Sequence, residues 1–145
     1  MSGDEARTQR NIEAVRAFLR LLEEKDIDSW IKLWQEDAVQ VYPFGTEMFP
    51  PRVEGRAAVH AQWSRLPDMF ASMSFPIREV WADGDTVLAR FDGDLVRSDG
   101  MPYQNTYLSV FHFTDSGELR EYWEYFDPIR AGLAFGLAEI TYRSS

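Results

Sequence analysis

The chain has 145 residues, of which 45% are hydrophobic and 14% aromatic, and its formal net charge is −9. This size and composition predict one globular domain, residues 1–145, with a sizeable hydrophobic core. The negative charge disfavours binding to nucleic acid or anionic membranes, and the absence of cysteine excludes disulfides and thiolate metal sites. The polar beginning of the chain lacks the apolar segment of a signal peptide, so we expect a cytoplasmic protein.

Three helices are predicted in the first half of the chain. Apolar residues recur at helical spacing over residues 7–24 and 27–35, and Gly55 opens a third predicted helix over residues 56–66. Between the second and third helices, residues 38–42 are predicted to be a short strand, and the proline-containing residues 44–53 are predicted to be an ordered loop. We expect this loop to cover one end of a cavity.

Four strands are predicted in the second half of the chain. The first two are residues 77–82 and 86–95, which are separated by a turn sequence. Residues 102–128 show the longest alternation and predict two antiparallel strands joined at Asp115-Ser116-Gly117, because glycine tolerates the positive φ of a short hairpin loop. Residues 129–137 are compatible with either a short helix or an extended edge segment.

This order of elements predicts an α+β fold. Because the helices come first and antiparallel strands follow, we expect a curved sheet wrapped around the N-terminal helices as a cone-shaped barrel. Such a sheet leaves a cavity, and an aromatic-lined cavity with a few polar groups is the usual site for a small molecule. The expected partner is therefore a small hydrophobic or aromatic metabolite.

The last predicted strand carries a carboxylate on each of its faces. One face holds Leu119, Glu121, Trp123, Tyr125 and Asp127, and the other holds Arg120, Tyr122, Glu124 and Phe126. A carboxylate is costly to bury among aromatic rings, and burial raises the pKa of a carboxylic acid into the range that suits proton transfer near neutral pH. Both faces are aromatic and charged, so periodicity alone leaves open which of them lines the cavity.

Several segments taken together resemble the nuclear-transport-factor-2-like fold. Residues 37–45 (DAVQVYPFG) and 53–59 (VEGRAAV) precede YQNTYLSVFHF and REYWEYFDP in the order that this fold uses. The resemblance covers nearly the whole chain and points to the SnoaL-like and ketosteroid-isomerase-like branch. This superfamily includes isomerases, hydrolases, dehydratases, cyclases and binding proteins, so it implies the fold more specifically than the activity.

Two enzyme families of this branch match the chain only in part. Ketosteroid isomerases place an Asp base just before a proline, and that position is Tyr42 here, so their base is missing. Limonene epoxide hydrolases use an Arg and two Asp residues, and Asp127 stands where their final Asp falls. Their paired Arg and Asp have no counterpart, because Arg97 and Asp99 lie in a predicted turn.

The phenazine biosynthesis A/B proteins are more similar in their motifs. Their His-Ala-x-Trp-Ser segment resembles residues 60–64, and their Arg-Glu-aromatic run resembles residues 120–122. In that family the glutamate is the acid–base catalyst, and the histidine and serine contact the ligand. The resemblance implies that Glu121 is catalytic with His60 and Ser64 as partners, and it favours the strand face that carries Glu121 as the cavity wall.

The motifs and the predicted strands together define a candidate site. The predicted catalytic residues are Glu121, His60 and Asp127, and the predicted substrate-binding residues are Ser64, Trp63, Tyr42, Asn105, Tyr107, Ser109, Trp123 and Tyr125. No cofactor or metal is expected, since two histidines and no cysteine are a poor ligand set and no nucleotide-binding glycine loop is recognisable.

The predicted function is acid–base catalysis in secondary metabolism. A pocket carboxylate would promote condensation, cyclisation, dehydration or isomerisation of a cyclic or aromatic carbonyl compound. The alternative is a non-catalytic protein that binds a hydrophobic metabolite, which the same aromatic wall would serve. In either case we expect a homodimer formed through the sheet, with Tyr122 and Phe126 as outward aromatic residues.

Overall fold

Helices occupy the beginning of the chain and strands its second half in the computed structural model, which describes residues 2–145. The helices are α1 (Gly3–Glu23), α2 (Ile27–Trp30), α3 (Arg56–Trp63), α4 (Leu66–Met69) and α5 (Pro128–Ala134), with one 3-10 turn at Ile31–Leu33. The strands are β1 (Trp34–Val41), β2 (Arg52–Glu54), β3 (Phe70–Ser74), β4 (Ile77–Asp83), β5 (Thr86–Arg97), β6 (Pro102–Phe113) and β7 (Leu119–Phe126). None of these helices is long and apolar enough to cross a membrane.

The seven strands form one curved sheet that stays open. The strand order is β2-β1-β7-β6-β5-β3, and β4 also pairs with β5. Neighbouring strands are antiparallel except for β1 and β7, which run parallel. The predicted α+β class and the curved sheet around N-terminal helices are confirmed, and the barrel is left unclosed.

The structure differs from prediction where the second helix meets the first strand. The helical segment ends at Leu33, and β1 already begins at Trp34. Trp34 is completely buried, with its ring centroid 6.1 Å from that of Phe18 in α1. Packing of this side chain against α1 therefore outweighs the helical spacing of the local sequence. The short strands β2 and β3 and the helix α4 are further elements that the sequence pattern does not predict.

Helix α1 packs on the concave side of the sheet. Its buried stripe is Asn11, Val15, Phe18, Leu19 and Leu22. The ring centroid of Phe18 lies 5.1 Å from that of Phe111 in β6 and 4.9 Å from that of Tyr122 in β7. Because side chains alternate along a strand, the odd-numbered residues of β6 and the even-numbered residues near the end of β7 form the concave face.

The face of β7 that carries Glu121 was predicted to line the cavity, but the opposite face does so. The concave face carries Tyr122, Glu124 and Phe126, and the convex face carries Glu121, Trp123 and Tyr125. The cause is a β-bulge after the hairpin turn: Phe113 pairs with Leu119, but the preceding His112 pairs with Glu121. The extra residue in β7 shifts the alternation by one and turns Glu124 inward in place of Glu121.

Candidate active site

A cavity of about 490 Å³ lies on the concave side of the sheet. Its sheet wall is formed by Tyr103, Tyr107, Glu124 and Phe126, with Tyr42 directly after β1. Its helical wall includes Trp63, Leu66, Met69 and Ala131, with Phe135 directly after α5. Phe49 and Pro50 also line the cavity, so the loop after β1 covers part of it as predicted. Gln62, Arg65 and Leu137 complete the lining. Helix α5 and the residues after it cover another part, so both segments contribute to closure.

Glu124 is the carboxylate in the cavity wall, and it is only 7% exposed. Its Oε1 accepts a hydrogen bond from the Tyr122 hydroxyl at 2.6 Å, and that hydroxyl lies 3.0 Å from Ser109 Oγ. Burial raises the pKa of Glu124 to about 7, against a smaller lowering by the Tyr122 hydrogen bond. Within residues 2–145 no basic side chain forms an ion pair with it. Glu124 can therefore take up or release a proton near neutral pH.

Four tyrosines lie close enough to Glu124 for its negative charge to raise the pKa of their hydroxyl groups. They are Tyr42, Tyr103, Tyr107 and Tyr122, and burial raises the pKa of every one, with a further increase from the Glu124 charge. Their hydroxyl groups consequently stay protonated at neutral pH and remain able to donate hydrogen bonds. The cavity wall thus combines one buried carboxyl group with neutral hydroxyl donors and apolar rings, and Gln62 and Arg65 also line it.

Asn105 connects two of these tyrosines to the beginning of α5. Its Nδ2 donates to the Tyr103 hydroxyl at 2.8 Å, and that hydroxyl lies 3.1 Å from the Tyr107 hydroxyl. The same amide donates to the backbone carbonyl of Asp127 and accepts from the backbone N–H of Asp127, both at 3.0 Å. Asn105, which is predicted to bind substrate, is thus not part of the cavity lining, and its side chain supports Tyr103.

Three of the predicted substrate-binding residues do line the cavity, namely Tyr42, Trp63 and Tyr107. The indole Nε1 of Trp63 donates to the buried Gln40 Oε1 at 2.6 Å, which holds the ring in the wall. Ser109 is completely buried and acts one step away from the cavity, through its contact with Tyr122.

Two of the three site residues predicted at α3 and its C-cap, His60 and Ser64, lie outside the cavity. The Nε2 atom of His60 is 3.3 Å from Asp28 Oδ1, on a solvent-accessible side of the helix. The hydroxyl of Ser64 is exposed and donates to the carbonyl of Ala61 at 3.0 Å. Helical spacing does place His60 and Ser64 near each other, but Gln62 and Trp63 are the residues of this helix that line the cavity.

The predicted residues on the odd-numbered face of β7 also lie elsewhere. Glu121 Oε1 accepts from Trp123 Nε1 at 2.5 Å, and Glu121 Oε2 is 3.6 Å from a guanidinium nitrogen of Arg120, all on the convex face. Tyr125 shares that face. Asp127 caps α5, because its Oδ1 accepts from the N–H groups of residues 129 and 130 at 2.9 and 3.2 Å.

Glu124, Tyr103, Gln62 and Arg65 are the polar cavity residues that the predicted site lacks. Tyr103 stands two residues before Asn105, so the alternation that selects Asn105 and Tyr107 extends naturally to it. Glu124 has no comparable signal, since its inward orientation depends on the bulge. No cluster of three or more metal-binding side chains of the His, Cys, Asp and Glu types occurs among residues 2–145.

Comparisons with known proteins find a family and two relatives whose sequences match most of this chain. The sequence profile of the SnoaL-like domain matches residues 15–122. The uncharacterized protein YesE of Bacillus subtilis is 36% identical over 132 residues, which are 88% of this chain and 88% of YesE. An uncharacterized PhzA/B-like protein of Pseudomonas aeruginosa is 29% identical over 126 residues, covering 83% of this chain and 86% of its own.

A solved structure from Bacillus subtilis, provisionally named an isomerase, superposes on this fold with a TM-score of 0.81. Its sequence is 34% identical, and the match covers 90% of this chain and 95% of that one. Together with the domain match and the PhzA/B-like relative, this similarity confirms the predicted resemblance to the SnoaL-like branch and to the phenazine biosynthesis A/B proteins.

Proposed function

We propose that this chain, which belongs to the SnoaL-like family, is a small-molecule enzyme of secondary metabolism that uses the Glu124 carboxyl group for acid–base catalysis. The observation that carries the proposal is a single buried carboxyl at the cavity wall whose pKa is raised to about 7. A group with that pKa is present in both protonation states at neutral pH, which is what a residue that accepts a proton and returns it requires.

The cavity supports a cyclic or aromatic carbonyl compound as substrate. Its wall includes the rings of Phe49, Trp63, Phe126 and Phe135, which suit a flat apolar ligand of about the size that 490 Å³ can hold. Removal of a proton from a carbon beside the carbonyl and its return to a different carbon is an isomerisation. Departure of a hydroxyl group from the next carbon gives a dehydration instead, in which Glu124 returns the proton to the leaving oxygen and water is released. Both reactions begin with the same proton transfer to Glu124.

The wild-type protein is expected to exchange hydrogen for deuterium at the carbon beside the carbonyl of a bound ketone. Proton NMR in deuterium oxide, on a panel of cyclohexenones, indanones and naphthalenones, measures this exchange directly. The rate should rise with pH and level off above about 7, because the Glu124 carboxylate acts as a base only when it is ionised.

The matched control for this experiment is Glu121→Gln, which changes a glutamate on the same strand but on the convex face. We expect it to leave exchange unchanged. Ketones that raise the melting temperature without any exchange above background at any pH would remove the catalytic proposal and support the binding-protein alternative.

We further propose that a second copy of the chain packs on the convex face of the sheet. A row of apolar residues crosses five strands of this face and consists of Trp81, Leu88, Val110, Trp123 and Val41, paired in register. Trp81 is 46% exposed, and such a contiguous apolar row is typical of an interface. Tyr122 and Phe126, predicted for this role, are buried on the concave side and take no part in it.

Val110→Arg is expected to convert the dimer into a monomer, because it places an unpaired charge at the centre of this row. A buried unpaired charge costs about 2–5 kcal/mol, so the dimer dissociation constant should rise by roughly 30-fold or more. Sedimentation equilibrium measures the effect, with Gln104→Arg at the exposed end of the same strand as the control. A wild-type protein that is monomeric at high micromolar concentration would contradict this interface.

A further inference from the structure

Two polar side chains near the end of α3 line the cavity, and the acid–base chemistry does not use them. Gln62 stands in the last turn of α3, and Arg65 follows the C-cap of that helix directly. Among the residues of 2–145 that line the cavity, Arg65 is the only basic one and Glu124 the only acidic one. The groups that Gln62 and Arg65 offer therefore bear on which molecule the cavity accepts.

The amide of Gln62 is oriented by buried hydrogen bonds that leave its nitrogen free. The indole N–H of Trp63 can only donate, so the amide atom of Gln40 that receives it at 2.6 Å must be the oxygen. The nitrogen of Gln40 then donates to Gln62 Oε1 at 2.7 Å. Because Gln40 is only 1% exposed, water does not compete for these bonds. Within residues 2–145 Gln62 Nε2 has no acceptor, so its N–H groups are available to a bound molecule.

The guanidinium group of Arg65 forms no ion pair with any carboxylate of residues 2–145. This includes Asp68, which follows one helical turn later. Glu124 is not a partner either, because the pKa of Glu124 is set by burial and by the Tyr122 hydrogen bond, without a contribution from Arg65. The Arg65 side chain is exposed and yet lines the cavity, so it lies at the opening through which a ligand enters.

A carboxylate is the group that these two side chains can bind together. A guanidinium presents a planar pair of N–H donors that matches the two carboxylate oxygens, and the Gln62 amide adds neutral donors beside it. One guanidinium also matches the single charge of a carboxylate, whereas a phosphate group carries about two negative charges. The net charge of −9 repels anions at long range, so an anionic ligand needs a local cation, and Arg65 provides it at this cavity.

We propose that Arg65 and Gln62 bind a carboxylate group of the substrate, so that the substrate is a ring ketone that also carries a carboxylate. This inference rests on the proposed function and narrows its substrate class from carbonyl compounds to acidic ones. Arg65 is exposed at the opening, whereas Glu124 is buried in the sheet wall. A ligand held at the opening by its carboxylate thus leaves its ring among the aromatic side chains of the lining, where Glu124 stands.

The exposure of Arg65 limits how strongly this contact can select a ligand. Water and salt screen a charge at the opening, so its effect is smaller than that of a fully buried ion pair. We therefore expect a preference of about 10-fold for a carboxylate over a neutral group of the same shape, at the lower end of what a hydrogen bond to a charged group gives. The same screening should make this preference shrink as the salt concentration rises.

The test compares binding of 3-oxoindane-1-carboxylate with that of 3-oxoindane-1-carboxamide, which has the same ring ketone and nearly the same shape but no charge. Titration calorimetry at low salt should give the carboxylate the lower Kd by about 10-fold in the wild-type protein. Arg65→Gln should raise the Kd of the carboxylate by about 10-fold and leave that of the carboxamide within about twofold. Gln62→Glu keeps an oxygen for Gln40 Nε2 but replaces the free N–H groups with a negative charge, so it should weaken the carboxylate more than the carboxamide.

Arg16→Gln is the matched control, because it removes the same charge from an exposed arginine of α1 that does not line the cavity. It should change neither Kd. The carboxylate site would be overturned by a wild-type protein that binds the carboxylate no more tightly than the carboxamide. It would equally be overturned if Arg65→Gln left carboxylate binding unchanged, weakened both ligands alike, or had no larger effect than Arg16→Gln.

Binding and catalysis are separated by following hydrogen exchange beside the ketone of the same two ligands. A carboxylate that binds through Arg65 but never exchanges would remove the catalytic proposal and keep this site. Exchange that depends on Glu124, in a protein that does not prefer the carboxylate, would keep the catalytic proposal and remove this site.

Discussion

Replacing Glu124 with glutamine is expected to slow hydrogen exchange of a bound ketone by about 10²- to 10⁴-fold while the ketone still binds. Glutamine has nearly the same shape as glutamate, and its Oε1 can still accept the hydrogen bond that Tyr122 donates. It cannot take up a proton, however, so only the proton transfer is removed. Exchange followed by NMR and ligand affinity measured by titration calorimetry separate the two effects.

The same substitution should change how the stability of the protein depends on pH. The folded protein holds the Glu124 proton up to about pH 7, whereas the unfolded chain releases it near 4.5. Between these values the folded state binds more protons, so this carboxyl lowers the free energy of unfolding as the pH rises. Glu124→Gln lacks the effect and should gain roughly 3 kcal/mol relative to wild type between pH 4.5 and 8.

The difference between the two proteins isolates Glu124 from other carboxyl groups. Asp85, for example, has a pKa lowered by its hydrogen bond with Arg7. Its contribution to the free energy of unfolding is present above the pKa of the unfolded chain and is lost as the pH falls. This pH dependence is opposite to that of Glu124. Urea denaturation at several pH values gives both stability curves, and Glu121→Gln serves as the control on the other face of β7. Parallel curves for wild type and Glu124→Gln would show that Glu124 is not a buried group with a raised pKa, and would weaken its assignment as the base.

Trp34→Ala is expected to lower the free energy of unfolding by about 3–5 kcal/mol, the largest stability effect that we predict. The side chain is completely buried, and its ring centroid lies 5.3 Å from that of Trp30 and 5.8 Å from that of Tyr122. Its removal leaves a cavity between α1, β1 and β7, beside the tyrosine that holds Glu124. Urea denaturation followed by circular dichroism measures the loss.

Two smaller substitutions show whether hydrogen bonding or volume dominates in this aromatic cluster. The indole N–H of Trp34 has no partner among the described residues, so Trp34→Phe removes a buried group that was already unsatisfied. Trp63→Phe removes the same atoms but leaves the buried oxygen of Gln40 without its donor. We expect Trp63→Phe to cost about 1–3 kcal/mol more than Trp34→Phe, and equal costs would contradict this account.

The elements with strong and extended patterns are predictable from the sequence. The apolar stripe of α1 and the alternation of β5 and β6 are both long, and each of these elements occurs close to its predicted bounds. The loop over the cavity follows from its prolines and aromatic residues. Helix α3 is predicted as well, but the direction of its side chains is not, because a helix with Trp63, His60 and Ser64 can turn any of them towards the sheet.

By itself, the sequence determines the α+β order, the aromatic cavity, the family and the presence of a glutamate on each face of the last strand. It does not determine which glutamate lines the cavity. In a regular hairpin continued from the pairing of Phe113 with Leu119, Phe111 would pair with Glu121, and Glu121 would face the cavity. The bulge next to Arg120 adds one residue to β7, so that Phe111 pairs with Tyr122 instead. Packing of Tyr122 against Phe18 of α1 stabilises this register, and a contact between residues so distant in sequence exists only in the folded protein.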